Sequence, residues 1–304
     1  MIEKASAEMT NEIKRIWKIC FPKQDPRYMD FYFKNVYTPE SCYVNIKDGK
    51  IAAVLMRNKH ALMFNGRVLS TSMIVGAATL PEYRRKGCMH ELLGVVIDAC
   101  EHSELLTLIQ SEKPEIYEPY GFRVIYNRSD FMLERKDVRR ITNFGCAYEP
   151  SAIDLLKVYS AFIRRFNGFY ARDLEYFVRY KKEITAVGGK IVAYYDGKDQ
   201  IRGYAVMIPM GNELRVEEIV YLDSMSLVKL CNAALQERRV IHLLVSEAED
   251  LSKLFPDAVK NTYGSTMVRL NDPSLFMRLF NRRVNTIEEA MAISSKPLNL
   301  NEFI

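Results

Sequence analysis

Glycine and proline are scarce in this chain, at 14 and 11 of 304 residues. That excludes a low-complexity or collagen-like polymer and makes each glycine informative. The six cysteines (Cys20, Cys42, Cys88, Cys100, Cys146 and Cys231) form no Cys-x-x-Cys pair and no metal-ligand spacing. In a chain of this length they read as reduced, mostly buried thiols, as expected in the cytoplasm. Four scattered histidines argue against a histidine-based metal site, and no metal is expected. Long apolar runs are missing too: Ile51–Met56 is typical of the longest and falls far short of a bilayer span. The N-terminus, MIEKASAEMTNEIKR, mixes both charges and has no apolar core of a secretion signal. The formal net charge is only +5, divided as +2 over residues 1–137 and +3 over the rest. Such an even spread speaks against a nucleic-acid or membrane-surface partner.

What is present is ordinary for a globular protein: 48% hydrophobic and 27% charged residues. At about 150 residues per domain the length suggests two domains. The first half mixes helix and strand signals. Met9, Ile13, Ile16, Trp17 and Cys20 recur at helical spacing, and Pro26 can open a second helix, rich in aromatics, to Val36. Cys42–Ile46, Ile51–Met63 and Val68–Thr79 read as strands joined at Asp48-Gly49 and Asn65-Gly66. Both dipeptides supply the positive φ angles of type I′ hairpin turns. A helix over Gly87–Cys100, a short strand Leu105–Ile109, helical turns over Pro114–Tyr120 and a strand Phe122–Leu133 follow.

The charged stretch Glu134–Arg140 marks a boundary, after which the order restarts. Helices are expected over Pro150–Arg164 and Arg172–Tyr180. Strands follow at Lys190–Tyr195, Ile201–Pro209 and Leu214–Leu222, then a helix Ser224–Gln236 and a strand Val240–Ser246. A short helix Glu247–Leu254 and a last strand Asn261–Arg269 complete the half. The two halves share element order without sharing residues. The expectation is an α/β (α+β) chain with two tandem domains, 1–137 and 138–270. Each would hold a mixed, mostly antiparallel sheet flanked by helices. Residues 271–304 form a short extension with one helix, Pro273–Phe280, and an extended end, LNLNEFI.

The sharpest local feature is the run Ala77-Ala78-Thr79-Leu80-Pro81-Glu82-Tyr83-Arg84-Arg85-Lys86-Gly87-Cys88-Met89. A strand ends, a basic loop follows, and a helix starts at a glycine. Helix N-termini expose unpaired N–H groups and a partial positive charge, which suits a phosphate. Gly87 would permit close approach of backbone, and Arg84, Arg85 and Lys86 add cationic charge. Charge and glycine alone favour a solvated basic turn before an ordinary helix.

With the element order added, the chain resembles the GNAT superfamily of acyl-CoA-dependent N-acetyltransferases. Arg84-Arg85-Lys86-Gly87-Cys88-Met89 matches its Arg/Gln-x-x-Gly-x-Gly/Ala signature, with Met89 where Gly or Ala is usual. Ile116-Tyr117-Glu118-Pro119-Tyr120-Gly121-Phe122 matches the second signature, a Tyr ahead of Gly-Phe. The stretches CFPKQDPRYMDFYF, VGAATLPEYRRKG and SEKPEIYEPYGF resemble the Eis-like (enhanced intracellular survival) branch. That branch carries a second, degenerate acetyltransferase-like domain and a sterol-carrier-like third domain. Here only the opening of the third, MVRLNDPSLFMRLF, is present in a shortened extension. Leu222-Asp223-Ser224-Met225-Ser226 replaces the Arg-x-x-Gly loop in the second half, so acyl-CoA is expected in the first half only.

The resemblance implies direct acetyl transfer from acetyl-CoA to a small-molecule amine, an aminoglycoside-like polyamine among the candidates, in a protein that forms a homo-oligomer. It gives the backbone of Ala77, Ala78 and Thr79 to the pantetheine arm and thioester. The amides of Arg85, Lys86, Gly87, Cys88 and Met89 go to the pyrophosphate, and Tyr117 becomes the acid that protonates the departing thiolate. The alternative for Tyr117 is a half-buried packing aromatic; Tyr120 and Phe122 read as core. The general base stays open between the Ile304 carboxylate, Glu112 and a water chain. An aromatic set, Tyr28, Phe31 and Tyr32, could wall an acceptor pocket or simply be core. The competing reading of the chain is a non-catalytic acyl-CoA-binding or regulatory module.

Overall fold

The computed structural model describes residues 1–303. The first half runs β1 (Ile2–Lys4), α1 (Thr10–Cys20), α2 (Pro26–Asn35), β2 (Cys42–Lys47), β3 (Lys50–Phe64), β4 (Arg67–Thr79), α3 (Cys88–Glu101), β5 (Leu106–Gln110) and β6 (Arg123–Glu134). The second half runs β7 (Cys146–Tyr148), α4 (Ala152–Phe162), β8 (Phe169–Tyr170), α5 (Leu174–Ala186), β9 (Lys190–Tyr195), β10 (Ile201–Met210), β11 (Glu213–Tyr221), α6 (Ser224–Glu237), β12 (Val240–Ser246) and β13 (Val259–Leu270). The extension adds α7 (Pro273–Phe280) and α8 (Ile287–Ala292).

Local chemistry accounts for the boundaries. α2 starts at Pro26 because Asp25 accepts from the Arg27 N–H at 2.8 Å and proline has no N–H to lose. Ser151, Asp173, Asp223, Asp272 and Thr286 cap α4, α5, α6, α7 and α8 in the same way. The β2–β3 and β3–β4 hairpins turn at Asp48-Gly49 (φ 51° and 73°) and Asn65-Gly66 (φ 46° and 76°). These are the type I′ residues in the positive-φ conformations that the turn requires.

Among the described residues the strands form one sheet, in the order β1-β2-β3-β4-β5-β13-β6-β12-β11-β10-β9-β7, with β8 paired to β3 outside that path. The pairing is antiparallel except at two places, β4 with β5 and β11 with β12. Each parallel pair is joined by a helical crossover, α3 or α6, as parallel strands require. The halves are interleaved where they meet. β13 lies between β5 and β6, and β6 pairs only with β13 and β12. One half's strand therefore completes the other's sheet.

Three apolar clusters fill the fold. α3 covers one face of the first half's strands through Leu92, Leu93, Val96 and Ile97. α1, α2, α7 and α8 cover the other through Ile13, Trp17, Tyr32, Phe276 and Ile287. The second half closes over α4, α5 and α6 with Leu155, Phe177 and Leu230. The extension holds a second helix, α8, beyond the one expected, and α5 runs past Tyr180 to Ala186. Two further sequence expectations fail. Glu247–Leu254 forms turns instead of a helix, because Ser246 Oγ and Asp250 Oδ1 accept the N–H groups of Ala248 and Ser252. The even charge spread also conceals a cluster: Arg135, Lys136, Arg139, Arg140 and Arg239 line one open groove beside the end of β6. No helix is long and apolar enough to cross a membrane among the described residues.

Candidate active site

The site begins with a defect in β4. Val75 pairs with Met56 and Ala78 with Val54, so Gly76 and Ala77 together face Leu55. This is a β-bulge, with Gly76 at φ 61°. Trp17 of α1 donates from Nε1 to the Gly76 carbonyl at 3.3 Å and stacks on Tyr32 of α2 at 4.8 Å. Below the bulge, Thr71–Ile74 pair with Leu106–Ile109 of β5; above it the two strands separate. Val75–Thr79 therefore present an edge that β5 does not cover, which puts Ala77, Ala78 and Thr79 on one wall of a cleft. Gln110 ends β5 on the other side.

The loop above the cleft is shaped by two left-handed residues, Arg85 at φ 61° and Gly87 at φ 77°, the latter heading α3. No side chain caps that helix end. Among the described residues the backbone N–H groups of Arg85, Lys86, Gly87, Cys88, Met89 and His90 have no protein acceptor. Successive open amides at a helix N-terminus form an anion cradle. Arg84, Arg85, Lys86 and Gly87 are exposed, and a Cβ on Gly87 would meet nothing within 4 Å. Arg84 donates Nε to the Thr79 carbonyl at 3.1 Å, which ties the loop to the strand end. The Lys86 ammonium sits 5.5 Å from the Tyr83 ring centroid. The Cys88 side chain is buried in the core beneath α3.

Tyr117 lies between two short 3-10 turns, Pro114–Ile116 and Glu118–Tyr120. It packs on the same cluster as Cys88, Ala77 and Met89, and edge-on to Phe122 at 6.3 Å. Its phenol has no hydrogen-bond partner among the described residues, and burial, followed by the neighbouring Tyr120, raises its pKa. It thus stays protonated at neutral pH and has a proton to give. Tyr120 is half-buried, and its hydroxyl shares a 2.7 Å hydrogen bond with Nδ1 of His90 on the first turn of α3. His90 is thereby pinned, although its helical position alone reads as solvent-facing. Phe122 is core, as its pattern suggests. Glu112 is exposed just beyond β5. Ile304, the other candidate base, lies outside the described residues.

Sequence reasoning missed three parts of this site. Gly76 inside a strand pattern is a bulge signal, so it could have been found. Trp17 reads only as a core position of α1. The path of the chain's end is the third part, since the sequence named only the Ile304 carboxylate: residues 294–303 run back across both halves. Asn299 donates to the Gly168 carbonyl at 2.7 Å, and Thr266 Oγ1 donates to the Leu300 carbonyl at 3.2 Å. Gln110 Nε2 donates to the Glu302 carbonyl at 3.3 Å, which brings the tail to the rim of the cleft.

The corresponding cleft of the second half is closed. β11 and β12 also separate beyond Val216 and Leu243, but Asn299 and Asn301 of the tail fill the gap, leaving a cavity of about 10 Å³. At the start of α6 the Asp223 carboxylate accepts from the Ser226 N–H at 2.8 Å. A protein carboxylate already occupies the place where an anion would sit.

Residues 1–125 match the family described as acetyltransferase (GNAT) domain. The segment contains β4, the basic loop, α3 and Tyr117. Among solved structures, a conserved protein of unknown function from Enterococcus faecalis V583 superposes with a TM-score of 0.76 at 16% identity, over 91% of this chain and 74% of its own. Eis1 from Mycobacterium abscessus does so with a TM-score of 0.69 at 15% identity, over 91% and 75%. A tandem GNAT protein from the clavulanic acid biosynthesis pathway is covered completely, with 90% of this chain, a TM-score of 0.59 and 12% identity. At these identities the likeness is one of fold, and the fold is that of two GNAT-like units in tandem. No curated protein matches the chain.

Proposed function

We propose that this protein is a cytoplasmic acetyl-CoA-dependent N-acetyltransferase that passes an acetyl group directly to a primary amine of a small molecule. The aminoglycoside-like acceptors suggested by the resemblance are the first class to try. The observation that carries the reading is the row of open amides from Arg85 to His90, set above a bulged strand that β5 leaves uncovered. On this reading residues 1–137 bind acetyl-CoA, while residues 138–270 and the extension 271–304 shape the acceptor side.

The chain's own groups would divide the work as follows. The amides of Arg85–Met89 hold the pyrophosphate, with Arg84 and Lys86 adding charge at the rim. The uncovered edge of Ala77–Thr79 hydrogen-bonds the pantetheine arm and the thioester carbonyl, where negative charge develops. As the amine nitrogen bonds to the acetyl carbon and the carbon–sulfur bond breaks, Tyr117 gives its proton to the thiolate. The amine's own proton leaves to Glu112, to water or to the chain's terminal carboxylate. The test follows thiol release from acetyl-CoA across aminoglycosides, simple amines and peptide N-termini. Turnover on at least one amine supports the transferase. Binding of acetyl-CoA without turnover on any of them supports the non-catalytic module instead.

A further inference from the structure

The five cations of the groove beside the end of β6 come from three segments that the fold brings together. Arg135 and Lys136 sit in the turn that ends β6, Arg139 and Arg140 in the stretch leading into the second half, and Arg239 between α6 and β12. Their backbone is fixed. The Glu134 N–H donates to Asp137 Oδ2 at 2.8 Å, and Arg135 Nη2 donates to the Val138 carbonyl at 2.7 Å. Asn232 of α6 donates Nδ2 to the Arg139 carbonyl at 2.9 Å, and the pairing of Val240 with Glu134 sets Arg239 beside them. Glu134 is the one acidic residue on the lining, and it meets Lys136 at 3.2 Å. Among the described residues the guanidinium groups of Arg135, Arg139, Arg140 and Arg239 form no ion pair, and Arg135 Nε is buried without a partner. Arg139, Arg140 and Arg239 are exposed.

Like charges held together repel, so an anion entering the groove meets charge that the chain itself leaves uncompensated. Most of that charge is arginine, whose planar fork grips a carboxylate or phosphate through two parallel bonds. The rest of the lining is aliphatic, with Val138 and Leu235 buried beneath and Val240 half-buried; no aromatic ring belongs to it. Single-stranded nucleic acids are held largely by stacking on aromatic rings, which this groove does not offer. A duplex needs a long basic face, and a net charge of +5 over the whole chain does not supply one. An aliphatic floor under an arginine rim matches a peptide whose acidic residues flank an apolar one. The groove holds about 1000 Å³, room for several side chains. It is also remote from the acyl cleft. β6 starts at Arg123, just after the Tyr117 turn, and its other end, Glu134, borders the groove. Twelve extended residues span roughly 35–40 Å, too far for a second hold on the phosphates of acetyl-CoA.

We propose that this groove docks an acidic peptide segment of a partner protein. Arg135, Arg139, Arg140 and Arg239 grip its carboxylates, while Val138, Leu235 and Val240 receive an aliphatic side chain between them. The proposal is independent of the transferase reading. The test follows the fluorescence anisotropy of a labelled peptide repeating Asp-Glu-Leu, titrated with the full chain at low ionic strength. The variants are Arg139→Glu/Arg140→Glu, Arg239→Glu and, as a control, Arg282→Glu/Arg283→Glu. The control removes the same charge as the first variant from an exposed pair in the extension. Every side chain changed is exposed, so thermal unfolding should stay close to that of wild type. Wild type should bind the peptide at micromolar concentration and ignore its Asn-Gln-Leu counterpart. Each groove variant should weaken binding by about tenfold or more, and the control by less than about twofold. No binding by wild type at submillimolar protein overturns the proposal. An equal loss in the control and the groove variants also overturns it, because net charge and not the groove would then hold the peptide. Tighter binding of a single-stranded oligothymidylate of equal charge, lost in the groove variants, overturns it in favour of a nucleic acid.

Discussion

Replacing Gly76 by alanine should unsettle the first half and the acyl site together. The added Cβ would lie 2.0 Å from Trp17 Cζ2 and within 2.5 Å of Cε2 and Nε1. Carbon atoms pack best at about 3.5–4.0 Å, so the indole must retreat by roughly 1.5 Å. Its space is already taken, since Tyr32 stacks on it at 4.8 Å and Phe33 and Phe21 meet it edge-on at 5.2 and 5.7 Å. Overpacking of this kind costs about 1–3 kcal/mol. The φ of 61° adds about 1–2 kcal/mol for any residue with a Cβ. The expected loss is therefore about 2–5 kcal/mol. Trp17 is the only tryptophan in the chain, so urea unfolding followed by its fluorescence reports on the bulge itself. KM for acetyl-CoA should rise as well, since on the proposed reading a displaced bulge misplaces the edge assigned to the thioester. A Gly76→Ala protein within about 0.5 kcal/mol of wild type would refute the packing argument, because surface-like tolerance at this position contradicts the clash.

Three other variants probe separate links. Tyr117→Phe should retain acetyl-CoA binding and lose roughly 100-fold or more in kcat; unchanged turnover with the best amine would remove Tyr117 from the acid role. Arg172→Leu strands Glu218 and leaves Glu302 without its nearest cation, so unfolding stability should drop by about 3–5 kcal/mol in a denaturant titration. Glu183 predicts a pH dependence of definite sign. Its carboxyl holds a proton up to a pH of about 8 when folded, but only to the ordinary carboxylate range when unfolded. The folded chain thus binds more protons between those values, and stability falls as pH rises through that window. Glu183→Gln should abolish this slope and exceed wild type at pH 9 by on the order of 3–5 kcal/mol, with no advantage at pH 4. Parallel pH profiles for the two proteins would contradict it.

The local features were largely legible. Asp-Gly and Asn-Gly at two hairpins, a basic loop before a glycine-headed helix and the Tyr-Glu-Pro-Tyr-Gly-Phe turn all declare themselves within a few residues. What could not be read depends on pairing between distant segments. Nothing in Val259–Leu270 says that it will lie between β5 and β6, because the same alternation suits any neighbour. The run 247–254 has helical composition, but side-chain acceptors at Ser246 and Asp250 capture the backbone first. Glu183 lies past the end of the expected helix Arg172–Tyr180; α5 instead runs on to Ala186, and Glu183 is buried within it. The groove of five basic residues escaped a tally by halves because Arg239 joins the 135–140 stretch only through the β6–β12 pairing.

The central claim is that the open amides from Arg85 to His90 hold the pyrophosphate of acetyl-CoA. Thermal unfolding in the presence of acetyl-CoA, for wild type and Gly87→Glu, tests it most directly. A ligand at 100 times its dissociation constant adds about 2.7 kcal/mol to the folded state, enough for a shift of several degrees. The account predicts that shift for wild type and its loss in Gly87→Glu, which places a carboxylate at an exposed helix start where nothing else lies within 4 Å. No shift for wild type up to millimolar acetyl-CoA, or an equal shift in both proteins, would contradict it.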